Sequence, residues 1–228
     1  MGKTAWTSVL FDFGGTLDAT GIAWKERFFR LYRDEGLGLS SEQFDRVFYT
    51  ADDALVGTIP STFSFRGTVG RLAQGVADGL GVQDPMLGER IAKRFLDEAL
   101  ERLGASAQLL DELSQRYRLG IVSNFYGNLA TVCDEVGLSP FLTVVVDSTQ
   151  VGCLKPDPQI FRVALAGLKA EPAETVFVGD SVPRDMAGAR EVGMAHIWLM
   201  SETLRKSGVC CPNDPVIHTL DGLRELLL

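Results

Sequence analysis

Five side chains in this 228-residue sequence would do phosphoryl chemistry if they met: the carboxylates of Asp12, Asp180 and Asp185, the ammonium of Lys155 and the hydroxyl of Ser123. Each stands at or just beyond the end of a short apolar run. Carboxylates crowded into one crevice repel unless a cation sits among them, and hard oxygen ligands suit Mg²⁺, which is commonly held by one or two carboxylates plus substrate phosphate. A lysine there would neutralise phosphate oxygens, and Ser123 with nearby backbone N–H groups would donate hydrogen bonds to a phosphoryl group. An Asp carboxylate can attack phosphorus and carry an aspartyl-phosphate, which makes Asp12 a candidate nucleophile. Such a set supports metal-assisted phosphoryl transfer, in which positioning and charge stabilisation dominate.

The elements that must position this set are readable from the apolar pattern. Ser8–Phe13, Leu119–Ser123, Thr143–Asp147 and Thr175–Gly179 are continuous Val/Ile/Leu/Phe runs. Runs of that kind belong to strands covered on both faces, as in a parallel sheet. Ala195–Leu199 and Val216–His218 are two further candidates. Helical patterns at Asn128–Val136, Pro158–Leu168 and Arg184–Val192 alternate with the later strands, which predicts an α/β doubly wound domain. Ligands in such sheets bind at the carboxyl ends of the strands. Those ends carry Asp12, Ser123-Asn124, Asp147 and Gly179-Asp180-Ser181, with Lys155-Pro156 in the loop after Asp147.

About a hundred residues separate Phe13 from Leu119, far more than one crossover needs. Helices are expected there at Ile22–Glu35, Ser41–Leu55, Thr68–Leu80 and Met86–Leu103, with a crossover helix at Ala107–Arg116. The expected division is a core of residues 1–18 and 104–228 and an inserted helical unit of 19–103. Ser201–Pro215, with Cys210-Cys211, is expected to be an irregular surface loop.

Composition narrows the function classes. With 22 Lys+Arg against 30 Asp+Glu the net charge is −8, which disfavours a nucleic-acid binder. No apolar run approaches the ~20 residues needed to span a bilayer, and the opening residues resemble no secretory signal. Four cysteines without a CxxC pair suggest a reducing, cytoplasmic setting. His196, inside a strand pattern, is expected to be a packed histidine. No GxSxG surrounds Ser123, which argues against a serine-hydrolase triad.

In order, Asp12-Phe13-Gly14-Gly15-Thr16-Leu17, Ser123-Asn124, Lys155-Pro156 and Gly179-Asp180-Ser181 with Asp185 resemble the four motifs of the haloacid dehalogenase (HAD) superfamily. The resemblance runs from Ser8 to about Leu199 and is similar to the Mg²⁺-dependent phosphatase branch. It implies a Rossmann-like core with a helical cap inserted after the first motif. It also implies that Asp12 is the nucleophile and a metal ligand, that Ser123 and Lys155 hold the transferring group, and that Asp180 and Asp185 serve the metal, together with the backbone carbonyl of Gly14. Gly14, Gly15, Thr16 and Asn124 are expected against a small phosphorylated substrate.

One position departs from that pattern. Family phosphatases usually carry a second Asp, the general acid and base, two residues after the nucleophile, and Gly14 stands there. Such help is typically worth about 10²–10⁴-fold. Three readings follow: a phosphatase that is slow or recruits another acid, such as Asp18 or a cap residue; a phospholigand-binding or regulatory protein with little turnover; or a phosphonate hydrolase. The last would need a Schiff-base lysine in the cap, where only Lys25 and Lys93 are available.

Overall fold

The computed structural model describes residues 6–202 and 214–228. Within them, β1 (Ser8–Phe11), β2 (Arg118–Ser123), β3 (Leu142–Asp147), β4 (Thr175–Gly179), β5 (Ala195–Leu199) and β6 (Val216–Ile217) form one sheet. Its order is β3-β2-β1-β4-β5-β6 and every pairing is parallel. The chain winds outward in one direction from β1 through β2 to β3, then restarts on the other side of β1 at β4. The switch point therefore lies between β1 and β4, where a crevice opens beyond the strand ends. Phe11 is level with Ile121 of β2 and with Val178 of β4. This register puts Asp12, Ser123 and Asp180 at one edge of the sheet.

Side-chain alternation along the strands splits the core into two layers. Val9 and Phe11 join Ile121, Val178 and Ile197 on one face, while Leu10 joins Val122, Phe177 and Trp198 on the other. The second face is covered by α7 (Pro158–Leu168) and α8 (Ala187–Glu191), through Ile160, Phe161, Leu165 and Ala189. The first is covered by α5 (Leu129–Glu135), by α9 (Gly222–Leu227) and by the far end of α4 (Leu87–Ser114). A single turn of helix, α6 (Ser148–Val151), follows β3.

Between β1 and β2 the insert is helical, as expected: α1 (Trp24–Asp34), α2 (Ser41–Asp53), α3 (Phe65–Gly79) and α4. Ser40 starts α2 with a capping box completed by Gln43, and Ser64 caps α3 by accepting from the N–H of Gly67. The insert packs on the core through one continuous apolar cluster that includes Phe13, Phe28, Phe65, Phe95 and Phe125. Polar ties cross the same contact: Asn128 Nδ2 donates to Phe63 O and Thr68 Oγ1, both at 2.8 Å, and Phe65 N donates to Glu135 Oε2 at 2.7 Å.

Two expected helices, Met86–Leu103 and Ala107–Arg116, are one. α4 is unbroken for 28 residues, so the expected cap–core boundary at 103/104 falls inside a helix. The small residues Gly104-Ala105-Ser106 suggest a break, but the buried positions Leu103, Ser106, Leu109, Leu110 and Leu113 keep the helical period straight through them. Ser106 is not a solvated interruption either. Its hydroxyl donates to Leu17 O at 2.7 Å and pins the helix to the chain leaving β1. The Ser201–Pro215 loop and Cys210-Cys211 lie largely outside the described residues.

Candidate active site

Four chain segments converge at the switch point. Asp12 follows β1, Ser123 ends β2, Lys155 comes from the loop before α7, and after β4 Asp180 precedes the turn Val182–Met186 while Asp185 lies within it. Ser123 Oγ donates to Asp12 Oδ1 at 2.9 Å and Lys155 Nζ donates to the same oxygen at 2.6 Å. No donor among the described residues is hydrogen-bonded to Asp12 Oδ2. Lys155 Nζ also pairs with the buried Asp185 Oδ1 at 2.7 Å, so one ammonium bridges two carboxylates.

Asp12, Asp180 and Asp185 each offer a carboxylate oxygen within 4.8 Å of the others. The Lys155 ammonium offsets one of these charges, so two formal negative charges remain in a crevice where Lys155 and Asp185 are 4% and 0% exposed. Burial, then the neighbouring Asp12 and Asp185 charges, pushes the Asp180 carboxyl well above its usual range. Asp185 is raised by burial too, with Lys155 opposing. Burial also works against the Lys155 charge, but Asp12 and Asp185 more than offset it and hold that pKa above the usual lysine value. Three converging carboxylates with a single ammonium among them, and an all-oxygen donor set, together fit a hard divalent cation.

The backbone makes room for these carboxylates. Gly15 has φ +95°, and a Cβ there would come within 2.7 Å of Asp180 Oδ2. A Cβ on Gly179 would overlap the Asp185 carboxylate. Thr16 Oγ1 steadies Asp180 Oδ1 at 3.2 Å, and Ser181 N donates to Asp185 Oδ2 at 2.9 Å.

Above Asp12 lies a cavity of about 270 Å³ between core and cap. Of the residues expected against substrate, Gly14 and Asn124 line it, whereas Gly15 and Thr16 do not. Asn124 is partly spent on architecture: it accepts from Lys155 N at 2.7 Å and donates to Lys155 O at 3.2 Å, fixing the lysine loop. Asp147 is a cap, accepting from the N–H groups of Gly127, Leu129 and Thr149.

Asp18 does not replace the missing acid. It is fully buried, and its carboxylate accepts from Gly15 N at 2.7 Å, Trp24 Nε1 at 2.7 Å and Arg27 Nη1 at 2.8 Å. That is a clamp, with no lone pair directed to a substrate. The cap lysines do not suit imine chemistry either, since that needs a neutral amine. Lys25 lines the cavity but lies 2.8 Å from both Asp45 and Glu26, and these carboxylates outweigh burial to raise its pKa. Lys93 is exposed and paired with Asp97.

The rest of the cavity was not foreseen in the motifs. Trp24, Phe48 and Tyr49 reach it from the cap and Phe125 and Tyr126 from the core, with Asp52 and Arg184 as further charges. The Trp24 indole occupies the space beside Gly14: a Cβ on Gly14 would sit 3.1 Å from Trp24 Nε1. The only hint in the sequence is the density of aromatic residues in α1 and α2, which equally describes a helical core.

Comparison with known proteins agrees with this geometry. The sequence model of haloacid dehalogenase-like hydrolases matches residues 6–193. Haloacid dehalogenase-like hydrolase domain-containing protein 3 of Bos taurus is 34% identical over 155 residues, 67% of this chain. The match takes up 61% of that relative's length. A glyceraldehyde 3-phosphate phosphatase of Methanothermobacter thermautotrophicus is 32% identical over 132 residues, 54% of this chain and 56% of that protein. Among solved structures, the magnesium-bound HAD-hydrolase YfnB of Bacillus subtilis superposes with a TM-score of 0.59 at 22% identity, covering 98% of this chain and 99% of its own. The chain belongs to the haloacid dehalogenase-like hydrolase family.

Proposed function

We propose that this hydrolase is a Mg²⁺-dependent phosphatase that cleaves a small phosphorylated metabolite through an aspartyl-phosphate on Asp12. The observation that carries this reading is the state of the Asp12 carboxylate. Oδ1 is fixed by Ser123 and Lys155 while Oδ2 carries no hydrogen bond among the described residues, at the floor of a cavity of metabolite size. The phosphatase named among the relatives supports the reaction class. Asp12, Asp180 and Asp185 would hold the ion, with the Gly14 carbonyl alongside. Once bound, the ion would offset charge on the phosphoryl oxygens.

The chain's own groups do the rest. Lys155 and Ser123 hold Asp12 in one orientation, so attack on phosphorus needs no search over rotamers. The same ammonium and hydroxyl are placed to meet the phosphoryl oxygens as charge spreads over them. The cavity lies between cap and core, so aromatic side chains from both would flank the leaving group. The test is hydrolysis of p-nitrophenyl and acetyl phosphate with and without Mg²⁺, on wild type and Asp12→Asn. Turnover that requires both the ion and Asp12 is the expected result. Activity that persists in Asp12→Asn would overturn the nucleophile assignment.

Gly14 favours one alternative, a phospholigand-binding protein with little turnover. It would bind phosphate at the same site and release no p-nitrophenol in that assay.

A further inference from the structure

Hydrolysis of an alkyl phosphate needs a group that first gives and then takes a proton, and position 14 has no side chain to do it. Besides Asp12, two carboxylates line the cavity, Glu26 and Asp52. Glu26 is 51% exposed at its side chain and lies 2.8 Å from Lys25. Asp52, in the last turn of α2, is partly buried and bonded to the phenol of Tyr126, which approaches from the core. Tyr126 is 7% exposed and donates to Asp52 Oδ1, while Oδ2 has no hydrogen-bond partner among the described residues.

The geometry points to Asp52 as the proton donor and acceptor of this active site, a catalytic carboxyl delivered by the cap and aimed by Tyr126 as its positioning residue. The inference rests on the phosphatase reading above. As Asp12 bonds to phosphorus and the P–O bond to the leaving group breaks, the Asp52 carboxylic acid gives its proton to the departing oxygen and an alcohol leaves. Water then attacks the aspartyl-phosphate and passes a proton to the Asp52 carboxylate. Inorganic phosphate departs, and Asp12 and protonated Asp52 are restored.

The surroundings suit the role. Burial is the main influence on Asp52 and raises its pKa above the ordinary aspartate value, which lets it hold a proton nearer neutrality. Asp53 adds to the rise, while the Tyr126 hydrogen bond and Arg184 from the turn after β4 oppose it. Burial and Asp52 keep the Tyr126 phenol protonated, so it remains a donor. Because the pair joins cap to core, the carboxyl would be in place only when the cap is seated.

The experiment compares wild type, Asp52→Asn, Tyr126→Phe, Glu26→Gln and the exposed control Asp53→Asn on p-nitrophenyl phosphate and on an alkyl phosphate such as ethyl phosphate. The p-nitrophenolate ion leaves without a proton. Asp52→Asn should therefore release about one equivalent in a rapid burst and then turn over slowly, because water attack has lost its base. On ethyl phosphate it should show no burst and a kcat lower by roughly 10²–10⁴-fold. Tyr126→Phe removes a hydrogen bond that favours ionised Asp52, so on p-nitrophenyl phosphate, where Asp52 serves only as the base, the rising limb of the pH–kcat profile should move to higher pH. A merely structural loss would leave that limb in place. Asp53→Asn should show no burst on p-nitrophenyl phosphate, and its rising limb should lie at slightly lower pH because one charge that raises the Asp52 pKa is gone. If Asp52→Asn keeps wild-type kcat on both substrates, or if Glu26→Gln shows the burst instead, the assignment to Asp52 is overturned. If wild type lacks Mg²⁺-dependent turnover that Asp12→Asn removes, the phosphatase reading itself fails and takes this role with it.

Discussion

The two ends of the cavity are built in opposite ways. At its floor, Asp12, Ser123, Lys155, Asp180 and Asp185 come from strand ends and the loops next to them and are charged or polar; Lys155 ties Asp12 to Asp185, Ser123 bonds to Asp12 and Thr16 holds Asp180. Toward the cap, Trp24, Phe48, Phe125 and Tyr126 are aromatic and split between cap and core, with the carboxyls Glu26 and Asp52 beside them. The floor derives its geometry from sheet register, which one-residue shifts would destroy. The cap end depends on how helices seat against the sheet, so its side chains can change without disturbing the phosphoryl chemistry. On the proposed reading the reaction is anchored in the sheet, while leaving-group choice and proton transfer fall to the docked insert.

The strongest way to break that contrast is at the floor. Asp12→Asn keeps the shape of the side chain but removes the proposed nucleophile. Phosphatase turnover should fall by roughly 10⁶-fold, the scale seen when a covalent nucleophile is deleted. Steady-state release of p-nitrophenol checks it. A fall of only tenfold would mean that the strand-end cluster does not carry the reaction.

Next in size is a change to the clamp that joins the two ends. Arg27 on α1 is 4% exposed; it pairs with Asp18 at 2.8 Å, donates to Phe95 O on α4 at 3.2 Å and lies over the Phe95 ring. Arg27→Met leaves the buried Asp18 charge without its partner and should cost about 3–5 kcal/mol in urea denaturation. Burial already raises the Asp18 pKa, and Arg27 is the main influence holding it down. Asp18→Asn/Arg27→Met should therefore recover part of the loss. If the double variant were no better than the single, the loss would belong to Arg27 packing and not to the charge.

Legibility in the sequence divides along the same line. Asp12, Ser123, Lys155 and Asp180 could be read because each stands at a fixed offset from an apolar strand, and parallel strands align their ends. Trp24, Asp52 and Tyr126 could not, because aromatic residues at helical spacing look alike whether they fill a core or line a cavity. Asp18 is the instructive error. Its place near the nucleophile suggested an acid, but proximity in sequence says nothing about which donors will consume a carboxylate. α4 taught a similar lesson, since Gly104 and Ser106 weaken the helical signal locally while Leu103, Leu109 and Leu110 sustain it through burial.

Adding the ion should have a smaller, purely thermodynamic effect. If Mg²⁺ binds only the native state, a hundredfold excess over Kd stabilises the protein by about 2.7 kcal/mol. The readout is a rise in Tm, on a protein that need not turn over. Gly179→Ala, which crowds the Asp185 carboxylate, should shrink the Mg²⁺-induced rise more than it lowers the ion-free Tm. An unchanged rise would place the ion away from Asp185.

The smallest expected effect comes from restoring a carboxylate at position 14, and it bears most directly on the cap end. If the glycine were simply a vacancy, Gly14→Asp would add an acid beside Asp12 and raise turnover of alkyl phosphates. The space is already taken. A new Cβ would press on Trp24 at 3.1 Å, and the indole cannot easily withdraw. Its N–H is bonded to Asp18, and its ring packs edge-on against Phe95 and Phe125, with centroids 5.1 and 5.8 Å away. Gly14→Asp alone should therefore cost about 1–3 kcal/mol of stability, as overpacking does, with no gain in alkyl phosphate turnover. Gly14→Asp/Trp24→Val opens the space and should be the more active of the two, despite the lost aromatic contacts. Were the single variant to gain activity by itself, Trp24 would not define the leaving-group wall, and proton transfer at position 14 would need no contribution from the cap.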